Sequence, residues 1–417
     1  APRLALRRRR GLQTVTSPLA ATAPETSPAA QAGRAAPRVA VTELKLGEFR
    51  NYTTLSVATD GRHVVLAGEN GAGKTNVLEA LSLLSPGRGL RRARLDEMAR
   101  IGGPDAWTVF ARLDGPDGEV RIGTGLETRG EEETSIRRVR IDGEPARSAD
   151  DLLDHLRVLW LTPAMDGLFT GPAAERRRFL DRLVLALSPA HGAHVSAFEK
   201  AMRGRNRLLE DDRLDLDWLE AIEAQMAELG VAISLSRVET VACLDRLIEA
   251  TRADAPFPNA ELALEGEIEA LVAAGGPAAD AEDVYRARLR DGRRRDKAAG
   301  RTLDGPHRAD LVVHHGPKAM PAHLSSTGEQ KALLLGLVLA HARLVGETCG
   351  RAPLLLLDEV AAHLDPRRRA ELFDVVEALG SQCWMTGTDA SAFAALGERA
   401  ELFEVTGGTV RRGRPAT

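Results

Sequence analysis

Eight consecutive residues have the composition and spacing of a phosphate-binding loop, in the pattern G-x-x-x-x-G-K-T. In order, they are Gly68, Glu69, Asn70, Gly71, Ala72, Gly73, Lys74 and Thr75. Glycines allow successive backbone N–H groups to turn toward a phosphate at the positive end of the following helix. The lysine of such a loop reaches the β- and γ-phosphates, and the threonine hydroxyl ligates Mg²⁺. The pattern therefore predicts ATP binding, with Lys74 acting in catalysis and Thr75 holding the metal.

A second candidate site lies far along the chain. The apolar segment Leu354–Leu357 is typical of a buried strand in a parallel sheet, and Asp358 and Glu359 follow it directly. Charged residues rarely end such a strand without a partner. We predict that Asp358 binds Mg²⁺, directly or through water, and that Glu359 is the general base that polarises the attacking water.

A third segment precedes a long apolar helix and contains Ser326, Gly328 and Gln330 in the pattern S-x-G-x-Q. Ser326 is a suitable N-cap residue, and Gly328 permits close approach of the backbone to a phosphate. Taken alone, the segment is equally consistent with an ordinary capped helix.

The surrounding elements can place these segments together. The apolar strand His63–Ala67 enters the phosphate loop, and apolar residues at helical spacing follow it. From residue 107 to residue 141, alternating segments separated by Asp-Gly turns predict antiparallel hairpins. Between residues 150 and 298 the apolar spacing predicts long helices instead.

Together, the three segments resemble those of an ABC-type ATPase, and the segment 363–365 resembles its D-loop. The resemblance implies an α/β fold: an ATPase head with a mixed sheet, a P-loop and an antiparallel β subdomain, interrupted by an α-helical lobe. It also implies a homodimer that forms with ATP, in which Ser326 and Gly328 contact the nucleotide held by the other copy. We expect the head to comprise residues 38–150 and 299–417, and the lobe residues 151–298.

Residues 1–37 differ from the rest of the chain, because they have one acidic residue and no hydrophobic period. Their Ala, Pro, Ser and Thr content predicts a disordered extension or an over-called translation start. The Arg-rich, acid-poor beginning also resembles an organellar transit peptide, but it lacks the apolar region of a secretory signal.

Further motifs narrow the resemblance to the RecF family. They are Phe49-Arg50-Asn51-Tyr52, Ser85–Arg92, Arg176–Asp181, Arg205–Leu209 and Gly305–Asp310. The resemblance covers residues 38–410 and implies a weak ATPase that binds DNA in recombinational repair and replication-fork maintenance. In such a protein ATP-driven dimers clamp DNA at gaps or junctions, slow hydrolysis releases it, and partners of the RecR and RecO type help to load recombinase. It also implies that Arg50 and Asn51 belong to the nucleotide site. Ala309 departs from the usual Asp, and the positions 386–389 lack the histidine of transporter ATPases.

Arginine clusters are the candidate DNA contacts, and we select Arg88, Arg91, Arg92 and Arg205. Because only 6 of the 56 basic residues are lysine, the chain is biased toward arginine and most clusters are expected to be solvated helix faces. Aromatic residues make up 4% of the chain, so contact with the phosphate backbone is favoured over base stacking.

Composition excludes several other classes of protein. A net charge of −4 excludes a globally basic nucleic-acid binder, and three cysteines are too few for a disulfide framework and suit a reducing, cytoplasmic location. No apolar run approaches the length of a membrane-spanning helix, so we expect no membrane partner. The alternatives that remain are a transporter-type ATPase subunit and an ATP switch that does not bind DNA.

Overall fold

The protein is described by a computed structural model that covers residues 36–127, 136–211, 215–253 and 255–413, apart from the side chains of residues 362 and 363. Its strands are β1 (Ala40–Phe49), β2 (Tyr52–Ala58), β3 (His63–Ala67), β4 (Trp107–Gly115), β5 (Gly118–Leu126), β6 (Arg137–Ile141), β7 (Glu144–Pro145), β8 (Val158–Leu161), β9 (Ala260–Glu265), β10 (Asp310–His315), β11 (Met320–Pro321), β12 (Leu354–Leu357), β13 (Cys383–Gly387), β14 (Ala400–Thr406) and β15 (Thr409–Arg412). Its α-helices are α1 (Lys74–Ser82), α2 (Ala173–Leu187), α3 (His191–Glu210), α4 (Leu216–Ala250), α5 (Glu267–Ala273), α6 (Ala278–Asp291), α7 (Arg293–Ala299), α8 (Thr327–Cys349) and α9 (Pro366–Ala378). The predicted extension, residues 1–37, lies almost entirely outside the described residues.

A six-stranded sheet in the order β15-β14-β3-β13-β12-β8 forms the centre of the head. All neighbouring pairs are parallel except β14 and β15. Because both faces are covered, its inner strands are mostly apolar, and β12 is entirely so: Leu354 and Leu356 face one core, and Leu355 and Leu357 face the other. The carboxyl ends of β3, β12 and β13 meet at one edge, which is where ligands bind in parallel sheets.

A second six-stranded sheet, β2-β1-β4-β5-β6-β7, is entirely antiparallel. Its alternating strands bury Leu44, Trp107 and Val109 in the same core as α1 and one face of the central sheet. The hairpins predicted from the Asp-Gly turns are β4–β5 and β6–β7, which form this sheet's outer half.

The helical lobe consists mainly of α3 to α7, and its own small core contains Phe198, Met226, Val231 and Tyr285. The predicted beginning of the lobe at residue 151 is wrong, because β8 pairs in parallel with β12 and belongs to the central sheet. A short apolar segment can be strand or helix by pattern alone, and here its pairing decides. A three-stranded sheet, β11-β10-β9, joins the lobe to the second half of the head.

Helix α8 begins at the S-x-G-x-Q segment and is the central helix of the largest core. Its Leu333, Leu337 and Val345 pack with Leu183 of α2 and Leu355 of the sheet. By length and composition alone it could cross a membrane, although 67% of its most apolar window is buried inside the protein. The expectation that no apolar segment approaches the length of a membrane-spanning helix is therefore wrong for α8.

Candidate nucleotide site

The phosphate loop joins β3 to α1, the arrangement that its sequence predicts. A Cβ atom at Gly68 would lie 2.2 Å from the carbonyl oxygen of Val405. Gly73 has a φ of 113°, and a Cβ there would lie 2.5 Å from Nδ2 of Asn51. Glycine is therefore required at both ends of the loop, since any side chain would collide with the neighbouring backbone or amide.

Lys74 is buried inside the loop. Its Nζ donates hydrogen bonds to the carbonyl oxygens of Gly68 at 2.6 Å and Glu69 at 2.8 Å. Burial lowers the pKa of Lys74, and the negative charges of Glu359 and Asp358 oppose that shift. A cation enclosed by carbonyl oxygens and facing two carboxylates is well placed to exchange those carbonyls for phosphate oxygens.

Thr75 and Asp358 come together as predicted. The hydroxyl of Thr75 donates to both carboxylate oxygens of Asp358, at 3.0 and 3.2 Å. One hydroxyl and one carboxylate are hard oxygen donors, and Mg²⁺ is commonly held by so few protein ligands while waters and phosphates complete its shell. Among the described residues there is no cluster of three or more His, Cys, Asp or Glu side chains that could hold a metal more fully. The donor set therefore fits Mg²⁺.

Glu359 lies half-buried beside this pair, at the carboxyl end of β12. Its φ of 55° is uncommon for a residue other than glycine, and its backbone N–H donates to the hydroxyl of Thr386 at 2.9 Å. The same Thr386 hydroxyl donates to Oδ1 of Asp358 at 2.7 Å. Thr386 thus fixes both acids of the site from β13.

The two residues placed at this site by resemblance have different partners. Asn51 donates to the carbonyl of Ala72 at 3.3 Å and accepts from Nδ2 of Asn76 at 2.7 Å, so it contacts the loop itself. Arg50 instead forms a two-pronged ion pair with the buried carboxylate of Glu79 on α1, at 2.8 and 2.6 Å. Arg50 therefore stabilises the position of α1, the helix that carries Lys74 and Thr75.

The S-x-G-x-Q segment begins α8 as a capping box. Ser326 accepts from the backbone N–H of Glu329, and the Glu329 carboxylate accepts from the N–H of Ser326. Gly328 has open space around its Cα and lines a pocket that also contains Asp358, Glu359 and Lys331. Ser326 is exposed at the helix start. In the segment that resembles the D-loop, the side chain of His363 lies outside the described part.

The four candidate DNA contacts do not share one environment. Arg88 and Arg92 are exposed, and neither forms an ion pair within the described part of the chain. Arg91 is held by Glu79 at 2.9 Å and by Asn76 at 2.6 Å.

The prediction for Arg205 is wrong. Its side chain is completely buried, and it pairs with Glu223 at 3.0 Å and Asp296 at 2.7 Å. It also donates to the carbonyl oxygen of Leu289 at 2.7 Å. A guanidinium so enclosed stabilises the lobe and cannot reach a solvent-side phosphate.

Sequence reasoning missed Thr386 and Glu79. Thr386 was noted only as a position without the transporter histidine, and its polar side chain inside an otherwise apolar strand was the available signal. Glu79 lies one turn after Thr75 on the buried face of α1, and a carboxylate among apolar neighbours indicated a partner cation.

The chain is similar to known proteins in both sequence and structure. Residues 40–410 match the sequence model of the family described as RecF/RecN/SMC N terminal domain. The DNA replication and repair protein RecF of Rhizobium leguminosarum bv. trifolii is 59% identical over 373 residues, which cover 89% of this chain and 99% of that protein. The corresponding protein of Rhizobium meliloti is 60% identical with the same coverage. The chain belongs to the RecF family.

Solved structures of RecF and SMC proteins share its fold. One is the structure of the recombination mediator protein RecF with ATPrS, in the RecFOR pathway, which matches with a TM-score of 0.79 at 21% sequence identity. The match covers 91% of this chain and 100% of the RecF chain. An SMC head bound to the C-winged helix domain of ScpA has a TM-score of 0.50 at 16% identity, with 89% and 96% coverage. These likenesses confirm the ABC-type ATPase head, and RecF membership leaves the transporter alternative without support.

Proposed function

We propose that this RecF-family chain is an ATP-switched DNA-binding protein of recombinational repair, and that ATP holds two copies together on DNA. The observation that carries the proposal is the convergence of Lys74, Thr75, Asp358 and Glu359 at one edge of the central sheet. The curated relatives named DNA replication and repair protein RecF support the DNA side of it.

In the proposed reaction, Lys74 leaves the carbonyls of Gly68 and Glu69 and binds the β- and γ-phosphates of ATP. Thr75 and Asp358 would hold Mg²⁺, and the ion would supply positive charge that stabilises the phosphates during the reaction. Glu359 accepts a proton from the attacking water, and Thr386 keeps its backbone in place.

The second copy completes the site. Ser326 and Gly328 lie at the amino end of α8, whose N–H groups and positive dipole end suit the γ-phosphate held by a partner. Because this contact would come from the second copy, we propose that hydrolysis is slow and works as a release step. RecR- and RecO-type mediators and a cytoplasmic location belong to the same proposal.

The test uses Glu359→Gln, which keeps the size of the side chain and removes the base. With ATP and Mg²⁺, light scattering should show a stable dimer, and filter binding should show tighter binding to gapped, duplex or single-stranded DNA than without nucleotide. Glu347→Gln, at an exposed position on α8, is the control and should cycle like the wild type. A Glu359→Gln protein that stays monomeric at saturating ATP would refute the shared site.

The alternative ATP switch that does not bind DNA gives a different result. If the protein were such a switch, Glu359→Gln would dimerise with ATP, but its affinity for gapped, duplex and single-stranded DNA would not depend on nucleotide.

A further inference from the structure

The loop that follows α1 is held rigidly by its neighbours. Arg137 of β6 reaches across to the carbonyl oxygens of Leu83, Ser85 and Gly87, the last at 2.7 Å. The backbone N–H of Leu90 donates to the hydroxyl of Ser82 at 2.8 Å. Side chains that leave this loop therefore start from a fixed backbone, which lowers the entropy cost of binding a ligand.

Three arginines near this loop have no partner among the residues that the structure describes. Arg88 and Arg92 belong to the loop, and Arg178 projects from α2; all three are exposed. None of them makes an ion pair or a side-chain hydrogen bond to any residue that the structure describes. Arg94, by contrast, is only two positions beyond Arg92 and is paired with Asp96 at 2.9 Å.

Packing brings α2 and the loop together. Arg182, one turn after Arg178, lies over the ring of Trp160 at 4.5 Å and donates to its carbonyl oxygen at 3.3 Å. Trp160 packs in the same core cluster as Leu90 and Ala93 of the loop. The face of α2 that carries Arg178 and Arg182 therefore meets the loop at the end of β8.

The pKa shifts of the arginines agree with this contact between α2 and the loop. The pKa of Arg92 is lowered, first by its loss of solvent and then by the positive charges of Arg178 and Arg88. The pKa of Arg182 falls to about 9, through burial and the charge of Arg92.

Asp181 and Glu199 act in the opposite direction and raise the pKa of Arg92, but each of these acids has a partner of its own. Asp181 is held by Arg237 at 2.8 Å and by His191 at 2.9 Å. Glu199 lies 3.7 Å from Arg203.

We propose that Arg88, Arg92 and Arg178 form a phosphate-binding surface where α2 meets the loop that follows α1, and that its ligand is the phosphodiester backbone of DNA. The inference rests on the proposed function and names where the DNA lies. Like charges that are not paired directly with carboxylates repel one another, and an anion that spans them relieves that repulsion. A polyanion with regularly spaced phosphates can satisfy several guanidinium groups at once.

The experiment compares Arg92→Gln, Arg178→Gln and the double variant with Arg94→Gln as the matched control. DNA affinity is measured by fluorescence anisotropy with ATP at several salt concentrations. Each of the two single variants should reduce the slope of log K against log salt by about 0.9, and the double variant by about twice that. Arg94→Gln should keep the wild-type slope, because its guanidinium is already paired with Asp96.

Three outcomes decide the inference. If the wild type binds DNA and the double variant has the same salt slope, the proposed surface is wrong and the proposed function still stands. A loss of affinity for a fluorescent ATP analogue with an unchanged DNA slope would assign the surface to nucleotide phosphates and overturn it as well. If the wild type itself binds no DNA, the proposed function fails with it. Thermal unfolding of each variant shows whether the fold is retained, and Arg92→Lys, which keeps the charge, should restore the slope.

Discussion

Replacing Thr386 by valine should slow ATP hydrolysis strongly while leaving the packing at position 386 nearly unchanged. The side chain is fully buried, and valine has nearly the same volume without the hydroxyl. Two hydrogen bonds disappear: the one donated to Asp358 at 2.7 Å and the one accepted from the N–H of Glu359 at 2.9 Å. Losing a hydrogen bond to a carboxylate costs about 1.5–3 kcal/mol, and an orphaned buried N–H costs about 1–3 kcal/mol more.

The effect on turnover follows from the backbone of Glu359. Its φ of 55° is uncommon for glutamate, and the bond to Thr386 is the hydrogen bond that holds its N–H. Once freed, the carboxylate is expected to shift, and a misplacement of about 1 Å at a reacting group costs on the order of a hundredfold in rate. We therefore expect kcat to fall about a hundredfold, with a much smaller change in KM, because Lys74 and the loop are untouched.

Single-turnover hydrolysis of ATP, together with urea denaturation, measures both consequences. Thr386→Ser keeps the hydroxyl and should recover most of the rate. If Thr386→Val remains folded and hydrolyses ATP at the wild-type rate, or if Thr386→Ser is as slow as Thr386→Val, the positioning role is wrong.

Further substitutions test other parts of the molecule. Lys74→Met should abolish ATP binding in a fluorescent-nucleotide titration, and normal binding would contradict the phosphate-loop assignment. Arg205→Met should lower the free energy of unfolding by about 3–5 kcal/mol in urea denaturation, because it leaves buried carboxylates unpaired. Arg203→Met, an exposed control on the same helix, should cost about 0–1 kcal/mol, and equal losses would contradict the buried network. Lys318 and the capping contacts of Ser326 lower the pKa of Glu329 from 4.5 to about 2, so its stabilisation is present above pH 4.5 and is lost as pH falls toward 2. Glu329→Gln should weaken the pH dependence of the urea midpoint between pH 4.5 and 2. A pH dependence equal to that of the wild type would refute the contribution of Glu329 to stability.

The nucleotide site was predictable because its residues are adjacent in sequence to the elements that hold them. The loop lies between β3 and α1, and Asp358 and Glu359 end an apolar strand, so chain order alone indicated their chemistry. Parallel strands then bring Thr75 to Asp358 without any further signal being needed.

Other features depend on tertiary packing that no local pattern encodes. β8 is four residues long, and only its pairing with β12 places it in the head. Arg205 belongs to a cluster of arginines on α3 that is indistinguishable by sequence from a solvated face, yet Glu223 and Asp296 from other helices enclose it. By sequence, Arg178 lies in one of several arginine clusters, and its position near Arg92 follows from how α2 packs against β8.

The order of strands in the central sheet affects how the chain is made. The strand that enters the phosphate loop, β3, bonds to β13 and β14, which follow it by more than 300 residues. A ribosome will have synthesised nearly the whole polypeptide before β3 can find either neighbour, because such distant pairings form late. In nascent chains β3 should therefore remain unpaired and exposed for most of translation. We expect these chains to depend on chaperones until β13 and β14 have been synthesised.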